Sequence, residues 1–118
     1  MRHRKHKYRL GVESGHRRSL LKNLSKELID HGKVKTTHAR CMALRSYIEK
    51  LVTRAKTDNI ANRRIAYSKL GCKTAVNSLF KNVAPKFVER KGGYTRILKL
   101  PDGRVGDGAK LSFIAFVE

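Results

Sequence analysis

The sequence predicts an α+β fold, with about four helices packed on a small mixed sheet of about three strands and a basic extended N-terminal arm. Three observations support this prediction. Apolar residues recur at helical spacing between positions 14 and 85, β-favouring residues dominate 94–100 and 111–117, and positions 1–9 contain almost nothing apolar. A length of 118 residues suits one domain, so we expect an arm at 1–13 and a single globular domain at 14–118.

The arm is the most basic part of the chain, and its first nine residues contain no acid. Its cations and histidines are Arg2, His3, Arg4, Lys5, His6, Lys7 and Arg9. With so little apolar surface to bury, this segment is not expected to fold alone. It is either a solvated tail or an arm that becomes ordered between RNA strands, and the net charge of +19 favours the arm.

The first helix is predicted from about His16 to His31, because apolar residues there line one helix face. These residues are Leu20, Leu21, Leu24, Leu28 and Ile29. Gly32 stands where a C-terminal cap belongs.

The opposite side of this helix carries Arg18, Lys22 and Lys26 at four-residue intervals. Like charges at this spacing destabilise an isolated helix, and a neighbouring phosphate backbone would remove that repulsion. We therefore predict RNA contacts along this side, together with His16 and Arg17.

A short edge strand is predicted at Lys33 to Thr36, where lysines suit an edge. Thr36 or Thr37 can then cap a second helix. The inward stripe of that helix is Leu44, Tyr47, Ile48, Leu51, Val52 and Ala55.

Two shorter helices follow. Asp58 or Asn59 can cap the third, and Gly71 closes it. Its apolar positions are Ile60, Ala61, Ile65, Ala66 and Leu70, and Arg63 and Arg64 are expected to face outward. The fourth has an apolar stripe of Val76, Leu79, Phe80 and Val83. Pro85 marks its end or a kink near Ala84.

The C-terminal part of the chain predicts two further strands. Tyr94 to Leu100 is rich in β-favouring residues and stops at Pro101. Glycines and aspartates at 102–103 and 106–108 suit a hairpin, and Leu111 to Val117 is apolar on both faces, as a central strand would be.

The charge balance identifies the class of partner, because 28 Lys and Arg stand against 9 Asp and Glu. Such a chain calls for a polyanion, and closely spaced phosphates fit best. A membrane partner is not expected, since no segment offers an amphipathic insertion face, a long apolar run or a signal peptide. We expect a soluble cytoplasmic protein.

Catalytic chemistry is not visible in the sequence. The acids are scattered, the five histidines have no ligand spacing, and no nucleotide-binding loop occurs. Cys41 and Cys72 are expected to be reduced packing thiols. We therefore expect no enzyme activity, no cofactor, no metal site and no small-molecule substrate.

The segment Arg90 to Arg96 has two interpretations that stay open. The pair Gly92 and Gly93 is either a flexible break or a place where phosphate approaches the backbone. In the second case Arg90, Lys91 and Arg96 supply charge and Tyr94 supplies a ring for stacking. No RNA-binding module motif is present, so recognition of RNA shape and backbone is expected rather than base readout.

Several motifs in order resemble the bacterial large-subunit ribosomal protein seventeen family, and they span nearly the whole chain. The most specific is the run from Gly92 to Leu100. Others are Met1 to Arg4, His16-Arg17, Leu79-Phe80, Ala84-Pro85 and Gly106 to Ala109.

The resemblance implies binding to large-subunit ribosomal RNA near the exit tunnel, with neighbouring ribosomal proteins as contacts. The leading interpretation is a scaffold that supports subunit assembly. Two rivals remain. A DNA-compacting protein would have the same charge, and an RNA-modifying or RNA-cleaving enzyme would need acids that the sequence does not cluster.

Overall fold

The computed structural model describes residues 14–101 and 103–117, so the predicted arm at 1–13 lies outside the described residues. Within the described part, four α-helices and three strands confirm the predicted α+β fold. In chain order they are α1 (Ser14–His31), β1 (Lys33–Thr37), α2 (His38–Ala55), α3 (Ile60–Leu70), α4 (Lys73–Ser78), β2 (Thr95–Lys99) and β3 (Leu111–Phe116).

The three strands form a sheet in the order β1-β3-β2. Ile114 of the central strand pairs with Val34 on β1 and with Ile97 on β2. The predicted positions of β3 at the centre and β1 at an edge are therefore confirmed. The sheet is antiparallel in both pairs, not mixed as expected. The hairpin between β2 and β3 accounts for one pair, since parallel neighbours need a longer crossover.

Helix α2 forms the middle of the core and packs against the sheet and against α1 and α3. Leu44, Ile48 and Val52 of its predicted stripe are fully buried, whereas Tyr47 is only partly buried. Among the cysteines, Cys41 is buried in the same core and Cys72 is half-buried at its edge.

The predicted helix boundaries are confirmed by their caps. Thr37 and Asn59 accept backbone hydrogen bonds as the N-caps of α2 and α3. Gly32 and Gly71 end α1 and α3 with φ of 80° and 69°, a left-handed conformation that glycine adopts without strain.

Helix α3 is less buried than its sequence predicts. Ala66 and Leu70 are buried, but Ile60, Ala61 and Ile65 are exposed. The buried pair is spaced i and i+4, so a single narrow stripe of this helix faces the core. The apolar pattern of α3 is therefore wider than the stripe that the core covers.

The fourth helical segment changes geometry along its length. The α-helix ends at Ser78, a π-helical turn covers Leu79–Val83, and a 3₁₀ turn covers Ala84–Phe87. The N–H of Ala84 donates to Leu79, a five-residue step. Pro85 has no N–H, so the α-helical hydrogen-bond ladder cannot pass through it. The helix type changes at Ala84, near the predicted position, but the helical run does not end there and continues to Phe87.

Candidate nucleic-acid interface

An open groove of about 890 Å³ lies along α2, and we call it the α2 groove. One wall comes from α1 and α3, and the other comes from the loop that precedes β2. Its charged lining residues are Arg17, Glu49, Lys50, Arg54 and Lys69. Four cations against one acid give the groove a net positive charge, which suits a phosphate backbone.

The one acid in this lining is already used by the protein. The Glu49 carboxylate accepts hydrogen bonds from the backbone N–H of Thr95 at 3.3 Å and from its hydroxyl at 2.8 Å. These bonds join α2 to the start of β2. Glu49 thus fixes the strand beside the groove through one of its two carboxylate oxygens.

The loop from Arg90 to Gly93 is held by Lys56, the C-cap residue of α2, and by a hydrogen bond within the loop itself. Lys56 Nζ donates to the carbonyl of Arg90 at 2.6 Å, and Arg90 Nε donates to the carbonyl of Gly93 at 3.1 Å. Gly92 and Gly93 have φ of 138° and 61°, which other residues rarely adopt. The loop therefore has a defined shape, which argues against the interpretation of the glycine pair as a mere flexible break.

Tyr94 contradicts its predicted role as a stacking ring. The residue is only 2% exposed, and its ring centroid lies 5.3 Å from that of Phe87. Its hydroxyl accepts from Thr53 at 3.1 Å and from Lys56 at 3.3 Å. A base cannot reach this ring. Tyr94 instead anchors the end of the loop in the protein interior, through its packing on Phe87 and its hydrogen bonds.

The sequence predicts a strand that starts at Tyr94. Alternation along such a strand would put Tyr94 on one face with Arg96 and Leu98, which are both exposed. The strand begins only at Thr95, so the alternation does not extend to Tyr94. No signal in the sequence marks that boundary.

The remaining predicted residues of the loop are accessible. Arg90, Lys91, Gly93 and Arg96 are exposed, and Gly92 lines the α2 groove. The structure thus places Gly92 of this loop and Arg17, which are more than seventy residues apart in the sequence, in the lining of one groove.

The predicted basic residues of α1 do not form one surface. His16 and Arg18 are exposed and Arg17 lines the α2 groove, whereas Lys22 and Lys26 are half-buried. Lys22 lies against Gly71, at the junction of α3 and α4. The row of cations at four-residue spacing is therefore not evenly exposed, and its RNA contacts stay a prediction.

The predicted contacts of the arm lie outside the described residues. They are Arg2, His3, Arg4, Lys5, Lys7 and Arg9.

Sequence reasoning missed the cations that α2 and α3 contribute to the groove. Lys50 and Arg54 are one helical turn apart on the exposed side of α2. Their spacing could have identified them. Lys69 could not be found this way, because it reaches the groove only through the packing of α3 on α2.

That packing is reinforced by Tyr47, whose hydroxyl donates to the carbonyl of Lys69 at 2.5 Å. Partial burial raises the pKa of Tyr47, so the hydroxyl keeps the proton that it donates. The contact therefore fixes α3, which forms part of one wall, against α2 along the groove.

Two further observations limit the chemistry of the described residues. No cluster of three or more histidines, cysteines or acids among them could hold a metal ion. No helix in the described part of the chain combines the length and apolar character that a membrane span needs.

Comparison with known proteins gives a consistent match. The family described as Ribosomal protein L17 matches residues 20–117. The chain is 48% identical to the large ribosomal subunit protein bL17 of Campylobacter jejuni (strain RM1221) over 118 residues, covering 99% of each chain. It is 47% identical to bL17 of Nautilia profundicola, covering 99% of this chain and 98% of that protein. It is 44% identical to bL17 of Opitutus terrae, covering 100% and 74%.

Proposed function

The chain belongs to the Ribosomal protein L17 family, and from this premise we propose that it binds large-subunit ribosomal RNA through the α2 groove and supports subunit assembly. Family membership makes the chain a structural constituent of the ribosome and not an enzyme, as the sequence predicts. Its relatives are named as proteins of the bacterial large subunit, and the chain shares that location.

The observation that carries the proposal is the convergence of cations on the α2 groove. Arg17, Lys50, Arg54 and Lys69 come from three helices and all line the groove. Arg90 and Lys91 are exposed on the loop whose Gly92 also lines it. Because these side chains project from helices that are already packed, no backbone has to become ordered when a phosphate backbone binds between them. The groove would recognise the shape and charge of RNA rather than its bases.

We also propose that the arm at 1–13 is a separate phosphate contact attached to the domain at 14–118. Its support is composition alone, with five cations and no acid in the first nine residues. Removal of residues 1–9 should weaken incorporation into reconstituted subunits. Unchanged occupancy and unchanged salt sensitivity would exclude the arm from RNA binding. Contacts with neighbouring ribosomal proteins are proposed from the family only.

The groove is tested by a pair of double variants with equal charge change. Lys50→Gln with Arg54→Gln removes two groove cations, and Lys35→Gln with Lys86→Gln removes two exposed cations elsewhere. Affinity for purified large-subunit ribosomal RNA is measured over a range of salt concentrations. The groove pair should weaken binding and reduce the slope of log K against log salt by about 1.4–1.8, since each lost phosphate contact removes about 0.7–0.9. The control pair should change both quantities less.

If both variant pairs lose the same affinity, RNA binding depends on the net charge of the chain and not on the position of the cations in the groove. Equal affinity for duplex DNA at matched salt would favour the DNA-compacting alternative instead.

A further inference from the structure

A second surface lies on the outer side of α3 and differs from the α2 groove. A depression of about 350 Å³ separates α3 from the start of α4, and we call it the α3 face. Its lining includes Ile60, Arg63, Arg64, Tyr67, Lys73 and Asn77. The volume is at the small end of the range for ligand pockets, which is about 300–1,000 Å³, so it has room for a single nucleotide and not for a duplex.

Tyr67 is the main exposed ring of this face. It is 46% exposed, and Arg64 and Lys73 beside it are also exposed. Exposed tyrosine next to cations is the composition of a surface on which an unpaired base stacks while its phosphate is neutralised. No acid lines the depression in the described part of the chain, so its charge complements an anion.

Arg63 organises the face without being free to bind. Its guanidinium makes two bonds to Asp58, at 2.6 and 2.8 Å, and lies 4.7 Å from the centre of the Phe80 ring. It also donates to the side-chain oxygen of Asn77 at 3.3 Å. Because arginine can only donate, the oxygen of Asn77 must face it, which leaves the Asn77 amide group available as a donor.

From these contacts we infer that the α3 face binds one unpaired RNA nucleotide. The base stacks on Tyr67, the phosphate lies beside Arg64 and Lys73, and the Asn77 amide donates to an acceptor on the base. The inference rests on the proposed RNA-binding function. The α3 face would thus bind an unpaired nucleotide, whereas the α2 groove contacts only the RNA backbone.

An unpaired nucleotide fits this face better than a protein partner does. The exposed apolar residues are limited to Ile60 and Tyr67 within a basic surround, so little apolar area is available for a protein interface. A stacked base needs only one ring face, and a phosphate needs only the neighbouring cations.

The test uses two RNA hairpins that are identical except for one bulged adenosine. The full chain should bind the bulged hairpin about 5- to 150-fold more tightly at matched salt, the range expected for one stacked base. Tyr67→Leu keeps apolar bulk but removes the ring, and it should abolish this preference. Tyr67→Phe keeps the ring and should retain it. Since Tyr67 is exposed, both variants should fold, which their unfolding curves check.

A further variant separates this inference from the proposed function. Lys50→Gln with Arg54→Gln should weaken binding of both hairpins by the same factor and leave the preference intact. Equal affinity of the unmodified chain for both hairpins overturns the inference, while groove variants that still weaken binding keep the proposed function.

Two other results also overturn the inference. One is a preference that survives in Tyr67→Leu. The other is equal loss in Tyr67→Phe and Tyr67→Leu, which would assign the contact to the hydroxyl and not to the ring. Binding of an acidic peptide that Tyr67→Leu lowers, with equal affinity for the hairpins, would assign the face to a protein partner.

Discussion

Tyr94 and Tyr67 stand in similar sequence surroundings, yet the fold gives them opposite tasks. Each has arginines within a few residues, and each could stack on a base by sequence alone. Tyr94 is 2% exposed below the loop at the α2 groove, whereas Tyr67 is 46% exposed on the α3 face. The comparison shows that a basic and aromatic pattern identifies a binding region but not the residue that binds.

The difference extends to the surfaces around the two tyrosines. At the α2 groove, Tyr94, Glu49 and Lys56 hold the loop and strand through hydrogen bonds, and the cations around them contact solvent. On the α3 face, the fixed group is Arg63, and the aromatic ring is the exposed group. The α2 groove therefore exposes cations beside a buried tyrosine, whereas the α3 face exposes a tyrosine beside an arginine that is held in an ion pair.

The largest expected effect separates the two tyrosines by stability. Tyr94→Ala removes a buried ring that packs on Phe87 and should lower the free energy of unfolding by about 3–5 kcal/mol. Tyr67→Ala removes an exposed ring and should cost about 0.5 kcal/mol or less. Urea unfolding of both variants gives the two values. Similar losses would show that the two rings are equally buried in solution.

A smaller effect tests the bond that fixes β2 beside the α2 groove. Thr95→Val removes the hydroxyl that donates to Glu49 while keeping the shape of the side chain. Loss of this bond to a partly buried carboxylate should lower the free energy of unfolding by about 1–2 kcal/mol. Thr95→Ser keeps the hydroxyl and serves as the matched control in the same urea titrations. A valine variant as stable as the serine variant would rule out a stabilising role for this contact.

Features set by a few neighbouring residues were predictable from the sequence. Gly32, Thr37, Asn59 and Gly71 mark helix ends because caps depend on local conformation and nearby backbone groups. The central position of β3 also followed from a local pattern, since its residues are apolar on both faces.

Features set by packing between distant segments were not predictable. Arg17, Lys69 and Gly92 line one groove only because α1, α3 and the loop all lie beside α2. The exposure of Ile60 has the same origin, because the stripe of α3 that meets the core is narrower than its apolar pattern. Periodicity shows which residues share a helix face, and the neighbouring elements decide how much of that face they cover.

The smallest expected effect concerns pH and the ion pair that supports the α3 face. Hydrogen bonds from Arg63 lower the pKa of Asp58 below its ordinary value of 3.8. The folded state therefore holds the charged carboxylate more strongly than the unfolded state does. This contribution to stability is fully present above pH 3.8 and is lost as the pH falls through the lower pKa of the folded state. Because both side chains are exposed, solvent keeps the contribution small. Urea midpoints measured from pH 5 down to pH 2 should fall less steeply for Asp58→Asn than for the unmodified chain.

Asp107→Asn is the matched control, because it removes the equivalent pair with Arg104 in the hairpin, away from the α3 face. Asp107→Asn should also flatten the acid dependence, but only Asp58→Asn should reduce the preference for the bulged hairpin near neutral pH. Only that variant weakens the contact that holds Arg63, and Arg63 in turn orients the side chain of Asn77. Loss of the preference in both variants would show that acid-sensitive stability, and not the arrangement around Tyr67, controls binding at this face.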